Sequence, residues 1–163
     1  MSAKPSSAKQ KRRRRPASPT PKPPPVVAHS PLGPIDPGLV RLVPSRGTTK
    51  RGGGPGGEAW VIEACGERAG TVFINLIEEP PIGKHASLQI FLNRESQGRQ
   101  IGRLAYRKAC EASQYDVIYA HMRKSNIASR RAAEEAGFAD VTPVGHSQLI
   151  MKHVGKGRSP SGG

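Results

Sequence analysis

The sequence lacks long apolar segments and has few aromatic residues. Only seven of its 163 residues are Phe, Trp or Tyr, and no window approaches the roughly eighteen consecutive apolar residues of a membrane-spanning helix. The N-terminus carries charge and proline without the apolar core of a signal peptide. These absences argue against an integral membrane protein, and we expect a cytoplasmic protein with no membrane partner.

Cysteine is scarce as well. The two cysteines, Cys65 and Cys110, stand far apart in the sequence. They lack the paired spacing of a zinc site and the density of a disulfide scaffold. We therefore expect no metal site, and we expect both thiols to be buried and without a chemical role.

Acidic residues are almost missing from the first third of the chain. Residues 1–57 hold twelve Lys and Arg against one Asp, whereas the remainder holds fourteen against eleven acidic residues. The first 36 residues are also rich in proline and serine, so they bury too little apolar surface to offset the entropy of ordering. We assign residues 1–36 to a disordered basic tail, 37–154 to one folded domain and 155–163 to a disordered C-terminal tail.

The basic run at residues 9–15 has two open interpretations. Such a run binds nucleic acid or another polyanion through phosphate contacts, or it serves only as a solubilising segment.

Alternating apolar residues predict four strands in the first half of the domain. They cover residues 39–44, 59–65, 69–79 and 85–93, with only loop between the first two. Short turns at 66–68 and 80–83 join the last three strands, which predicts an antiparallel meander. In the third strand, Val72, Ile74 and Leu76 share one face, and Phe73 and Ile77 share the other.

The second half of the domain has the periodicity of helices. A core stripe of Ile101, Leu104, Ala105, Ala109 and Ala112 predicts one helix, and the strand VIYAHM (117–122) follows it. A second helix is expected from the cap Asn126 to Gly137, with two short strands near 139–142 and 147–153. The order predicts an α/β (α+β) domain with a mixed, mostly antiparallel sheet and two main helices.

The stretch QGRQIG (97–102) links the fourth strand to the first helix. Its free backbone amides and the helix N-terminus form a place where an anion binds, and Gly98 and Gly102 let a ligand come close. The spacing fits neither a nucleotide hydrolase loop nor a dinucleotide fingerprint.

One strand downstream lies SNIASRRAAEEAGF (125–138), and the two segments together resemble the signatures of the GNAT superfamily of acyl-CoA-dependent N-acyltransferases. The first signature has the form Q/R-x-x-G-x-G/A, and QGRQIG fits it with Gln100 in place of the usual glycine. In the second signature, the asparagine, the small residue three positions on and the Gly-Phe pair correspond to Asn126, Ser129, Gly137 and Phe138. The resemblance covers about residues 39–154.

This resemblance implies splayed central strands and acetyl-CoA as the acyl donor. The loop amides would hold the coenzyme A diphosphate, the edge of the fourth strand would pair with the pantetheine arm, and the second signature would lie near the leaving thiol. The implied binding residues are Ile90, Leu92, Gln97, Gly98, Arg99, Gln100, Ile101, Gly102, Arg103, Asn126 and Ser129.

Two departures from the family pattern affect the acceptor pocket and the proton donor to the thiolate. Members usually insert two helices between the first two strands, but residues 45–58 form a short glycine-rich loop. We expect a small form whose acceptor side is open or is closed by a second subunit of a homodimer. The tyrosine that many members use to protonate the thiolate is Ala133 here, so Ser129 or water would do this.

His121 is our choice of catalytic base, since it ends a strand five residues before Asn126 and titrates near neutrality. Glu78, Glu79 and His85 are the alternatives. The predicted reaction is transfer of acetyl from acetyl-CoA to a primary amine of a protein, peptide or small molecule. The alternative function is a non-catalytic acyl-CoA-binding module tethered to nucleic acid by its tail.

Overall fold

The computed structural model describes residues 33–155. The predicted disorder of residues 1–32 and 156–163 and the proposed polyanion contact of residues 9–15 lie outside this range. Between residues 33 and 155, neither α-helix is long and apolar enough to cross a bilayer.

A seven-stranded sheet organises the described residues, and its strand order is β1-β2-β3-β4-β5-β7-β6. All neighbours are antiparallel except β4 and β5, which are parallel. This confirms the predicted mixed, mostly antiparallel sheet with two helices. The strands are β1 Val40–Ser45, β2 Glu58–Ala64, β3 Glu67–Glu79, β4 Gly83–Leu92, β5 Val117–Met122, β6 Ala139–Asp140 and β7 Leu149–Val154; the helices are α1 Ile101–Ala112 and α2 Ile127–Glu135.

The hydrophobic core lies on the sheet face that carries α1. Val72 and Ile74 of β3 are fully buried there, as the alternation predicted, and Leu76 packs against the same cluster. The stripe of α1 differs from the prediction at one position. Ala112 is exposed in the last turn, whereas Tyr106 is buried and its ring meets Phe138 edge-on at 5.4 Å between centroids.

The folded domain begins earlier than residue 37. Ile35 is only 5% exposed and belongs to the core, and its backbone N–H donates to the carbonyl of Arg99 at 3.1 Å. Local sequence patterns could not show this contact, because the two residues lie 64 positions apart. Ile35 thus packs with the domain, two residues before the boundary that the sequence predicts.

The expectation that both thiols are buried is also wrong for Cys65, which is exposed. Cys65 and Gly66 form the turn between β2 and β3, so β3 already begins at Glu67 and the predicted turn at 66–68 is shorter. Cys65 has a φ of 54°, a left-handed conformation that belongs to a turn and turns its thiol to solvent. Cys110 packs against the core.

The loop at 46–57 lies against the sheet face opposite the helices, which we call the second face. The amide of Gly52 donates to Asn75 Oδ1 at 2.8 Å, and Asn75 Nδ2 donates to the carbonyl of Lys50. The guanidinium of Arg51 stacks 4.9 Å above the ring of Phe91, and Phe91 stacks on Phe73. The loop therefore covers part of the second face, whereas the sequence analysis expected an acceptor side that is open or closed by a second subunit.

Candidate active site

The two parallel strands separate in the middle of the sheet. Ala86 pairs with Ile118 and Ser87 with Tyr119, and within residues 33–155 the pairing of β4 with β5 ends there. The edge of β4 from Leu88 to Leu92 therefore pairs with no other strand of the described range on this side and faces a wedge-shaped gap. Such an edge can accept an extended ligand through main-chain hydrogen bonds.

The glycine loop and the start of α1 lie at the wide end of this gap. Gly98 has a φ of 76°, and no atom lies within 4 Å of the place where a Cβ would be, so the backbone is open on that side. Gln100 is the N-cap of α1 and makes no side-chain capping bond. The first amides of the helix thus keep their donor capacity for an anion.

Gln100 stands where the family signature usually has glycine, and its backbone is left-handed. Its φ and ψ are 61° and 20°, in the region that a glycine adopts with little strain. Gln100 therefore adopts a conformation that glycine would favour at this position.

Two arginines flank the loop with part of their side chains buried. The Nε atoms of Arg99 and Arg103 are buried, and neither has a hydrogen-bond partner among the described residues. Arg103 also places Nη1 3.4 Å from Glu135 Oε2. Buried donors without partners are costly, so a ligand with anionic oxygens would be stabilised here.

Gly102 faces the gap from the first turn of α1. A Cβ at this position would meet only Ala132 Cβ and Leu92 Cδ1, both at 3.8 Å. Gly102 therefore lies between the end of β4 and α2.

Some predicted binding residues can contribute only their backbone. The side chain of Ile101 is 1% exposed in the core, and the side chains of Ile90 and Leu92 pack against the same core. Gln97 is exposed, and its Nε2 donates to the carbonyl of Leu92 at 3.4 Å.

Asn126 caps α2 as the sequence predicted. Its Oδ1 accepts from the backbone amide of Ser129 at 3.2 Å, which occupies the carbonyl oxygen and leaves the side-chain NH₂ to donate elsewhere. Gly137 has a φ of 97° directly after the helix, and this conformation stops α2.

His121 lies on the second face and contacts His85. The two Nε2 atoms are 2.9 Å apart, and His85 Nδ1 lies 2.7 Å from the carbonyl oxygen of Gly83. Burial lowers the pKa of His121, and the neighbouring His85 lowers it further, while Glu79 opposes both effects. A lowered pKa favours the neutral form of His121.

The other predicted candidates are less well placed for proton transfer. Glu78 and Glu79 are exposed at the end of β3. His85 is buried, and both of its ring nitrogens are engaged. Sequence reasoning named His85 and His121 separately but missed their contact, which joins two strands 36 residues apart in the chain. The sequence could have indicated this contact only through the expectation that His85 and His121 lie on the same face of two neighbouring parallel strands.

No three His, Cys, Asp or Glu side chains converge to hold a metal ion within residues 33–155.

Residues 45–139, more than half of the chain, match the sequence model described as an acetyltransferase (GNAT) domain. The chain belongs to the GNAT acetyltransferase family. This membership accounts for the splayed strands, the glycine loop and the capped α2, and it gives no support to a purely regulatory nucleic-acid-tethered module. Among curated proteins, none matches the sequence significantly.

Solved structures share the GNAT fold at low sequence identity. A GNAT acetyltransferase of Streptococcus agalactiae matches with a TM-score of 0.53 and 12% identity, over 61% of this chain and 66% of that one. The yncA acetyltransferase of Salmonella typhimurium, whose structure holds acetyl-CoA, matches with a TM-score of 0.50 and 18% identity over 66% and 70%. A GNAT acetyltransferase of Streptococcus pneumoniae matches with a TM-score of 0.50 and 15% identity over 64% and 70%. The chain thus spans just under two thirds of the first of these proteins.

Proposed function

We propose that this GNAT domain transfers an acetyl group from acetyl-CoA to a primary amine. The observation that carries the proposal is the gap between β4 and β5, which opens after Ser87 and Tyr119 and has the glycine loop at its wide end. The family match supports it.

The described residues fit the parts of coenzyme A in order along the gap. The amides of Gly98 to Gly102 and the orphan donors of Arg99 and Arg103 would hold the diphosphate. The free edge of β4 at Ile90 to Leu92 would pair with the amide groups of the pantetheine arm. This assignment uses only the backbone of Ile101, since its side chain is buried.

The thioester end of the donor would lie near Asn126 and Ser129 at the start of α2. The side-chain NH₂ of Asn126 is available to donate, and the hydroxyl of Ser129 can supply a proton to the departing thiolate. A thiolate is a good leaving group, so water in place of Ser129 would slow the reaction little.

His121 is the base in this proposal. The ammonium form of the acceptor gives one of its three protons to His121, and the neutral nitrogen then forms the C–N bond to the acetyl carbon. The C–S bond breaks with its electron pair going to sulfur. A second proton passes from the nitrogen through Ser129 or water to the thiolate and the third stays on the nitrogen, so the products are the amide and free coenzyme A, and His121 returns its proton to solvent. Most of the rate gain comes from holding the two reactants in position.

The acceptor approaches from the second face, where His121 lies and where the loop at 46–57 forms part of the wall. This wall is a single loop rather than a pair of helices. A protein or peptide amine fits such a shallow site better than a small molecule enclosed on all sides.

The test is turnover of acetyl-CoA with a panel of peptides, polyamines and aminoglycosides, followed by release of the free thiol. With the best acceptor, we expect His121→Ala to lower kcat/KM by about 100-fold or more, the usual scale for a positioned general base. The affinity for coenzyme A, measured by calorimetry, should stay the same, because His121 lies outside the diphosphate loop.

Two results would count against the proposal. If no acceptor class releases thiol above the rate of hydrolysis, the domain is not an amine acetyltransferase. If the alanine variant stays within a few fold of the parent from pH 6 to 9, His121 is not the base.

A further inference from the structure

The four polar and aromatic side chains where β4 and β5 begin to separate lie on one sheet face. Ser87 pairs with Tyr119, and alternate residues of a strand share a face, so His85 and His121 lie on the same side. His85 and Ser87 are the only buried polar or charged residues of the described range. The ring of His85 also meets that of Tyr119 edge-on at 5.0 Å.

The hydrogen bonds of His85 fix which of its nitrogens carries the proton. The carbonyl oxygen of Gly83 can only accept, so His85 Nδ1, 2.7 Å away, must be the donor. In a neutral ring, His85 Nε2 is then an acceptor. Its partner at 2.9 Å, His121 Nε2, must in turn carry a proton.

The remaining nitrogen of His121 is therefore the basic one. His121 Nδ1 is buried and has no hydrogen-bond partner within residues 33–155. A neutral imidazole with its proton on Nε2 has its lone pair on Nδ1, so Nδ1 is the atom that can take a proton once the acceptor amine reaches it.

We infer that His85 is a positioning residue that fixes the His121 ring and its tautomer, so that Nδ1 is the atom that accepts the proton from the acceptor amine. The inference rests on the proposed role of His121 and adds the atom and the residue that orients it. The chain of contacts runs from the Gly83 carbonyl through His85 to His121. When His121 takes a proton on Nδ1, its Nε2–H continues to donate to His85, so the ring need not turn during the reaction.

Other charged groups near the pair come from different elements. Glu79 at the end of β3 raises the pKa of His121, and His146 between β6 and β7 lowers it. Lys152 of β7 places its ammonium 5.7 Å from the ring centroid of Tyr119. A pH profile of the reaction reflects all of these groups, so it cannot by itself isolate the contribution of His85.

A matched pair of substitutions separates orientation from packing. In His85→Gln, an amide oxygen near the former Nε2 position can still accept from His121. In His85→Met, a side chain of similar length fills the same space without a good acceptor. Thermal unfolding of both variants shows whether each one folds.

The primary readout is the protonation pattern of His121 in nitrogen NMR of the full chain, assigned with His121→Ala. We expect the parent protein above pH 7 to show a protonated Nε2 and an unprotonated Nδ1. The glutamine variant should keep that pattern, and the methionine variant should show a mixture of tautomers. This measurement needs neither acetyl-CoA nor an acceptor.

The kinetic readout follows with the best acceptor of the panel. We expect His85→Met to lower kcat/KM by about tenfold or more and His85→Gln to restore most of the loss, since a misdirected base loses part of its contribution. A protonated Nδ1 in the parent, or a tautomer and rate unaffected by His85→Met, would overturn the inference. If the methionine variant does not fold, the tautomer of His121 in the parent and in the glutamine variant still tests the inference. A proton on His121 Nδ1 in either protein would refute the positioning role of His85. A parent that has the expected tautomer but transfers no acetyl group refutes the proposed function instead.

Discussion

Gln100 shows how a single residue can keep a loop conformation that it does not favour. Its φ of 61° costs a residue with a Cβ about 1 kcal/mol or more, whereas glycine adopts this conformation easily. The resemblance shows that Gln100 stands where the family usually has glycine, but the sequence does not show the backbone conformation of this residue. In the structure Gln100 is left-handed, so it bears a strain that glycine would not.

We expect Gln100→Gly to stabilise the domain by about 0.5–1 kcal/mol, because relief of the left-handed strain exceeds the greater chain entropy of glycine. Urea denaturation of the two proteins measures the difference. Gln97→Gly is the matched control, since Gln97 has an ordinary φ of −73° in the same loop and its replacement should destabilise slightly. Equal destabilisation by both substitutions would mean that Gln100 is not strained in solution.

Among the elements, the short segment before β1 connects the core to the glycine loop. Ile35 packs in the core, and its amide holds the carbonyl of Arg99. Asp36 accepts from the amide of Gly38 and so starts the 3-10 turn Pro37–Leu39. Disturbing this segment should therefore affect both the stability of the domain and the glycine loop.

Deletion of residues 1–32 should leave the melting temperature and the turnover of small acceptors unchanged, since the sequence predicts that this segment cannot pack. Ile35→Ala in the full chain should lower the free energy of unfolding by about 2–4 kcal/mol, as expected for a buried isoleucine. Leu39→Ala is the control, because Leu39 is 49% exposed in the same segment. A deletion that unfolds the domain, or an Ile35→Ala variant as stable as the control, would show that the boundary lies elsewhere.

The elements that the sequence predicted correctly are those with a clear local period. Strands β2 to β4 alternate apolar and polar residues, α1 has a helical stripe of apolar residues, and α2 begins at a side-chain cap. The features it missed depend on residues distant in the chain. His85 meets His121, and the loop at 46–57 packs on Asn75 and Phe91. The predicted core stripe of α1 included Ala112, but the structure buries Tyr106 instead. The ring of Tyr106 contacts Phe138, which follows α2 in the chain.

In the whole molecule, the excess positive charge and the candidate active site lie in different parts of the chain. The excess of positive charge belongs to residues 1–57, whereas the rest carries nearly balanced charge. The gap, the glycine loop and the histidine pair all lie in the balanced part. We therefore expect donor binding to depend on local amides and a few arginines rather than on the overall charge of +14. Contact of the basic run with a polyanion remains a separate prediction.

The central claim is that the gap between β4 and β5 binds acetyl-CoA with its diphosphate on the glycine loop. Calorimetric titration of the full chain with acetyl-CoA, in the parent and in Gly102→Val, tests it most directly. A Cβ at Gly102 has room within the protein, with its nearest neighbours at 3.8 Å, so the variant should fold with an unchanged melting temperature.

We predict one acetyl-CoA bound per chain of the parent. In the valine variant, affinity should fall about 30-fold, which corresponds to about 2 kcal/mol, because the larger side chain enters the path of the diphosphate and weakens its charge-assisted hydrogen bonds. A parent without saturable binding, or a folded variant with the same affinity as the parent, would contradict the assignment of this gap as the donor site.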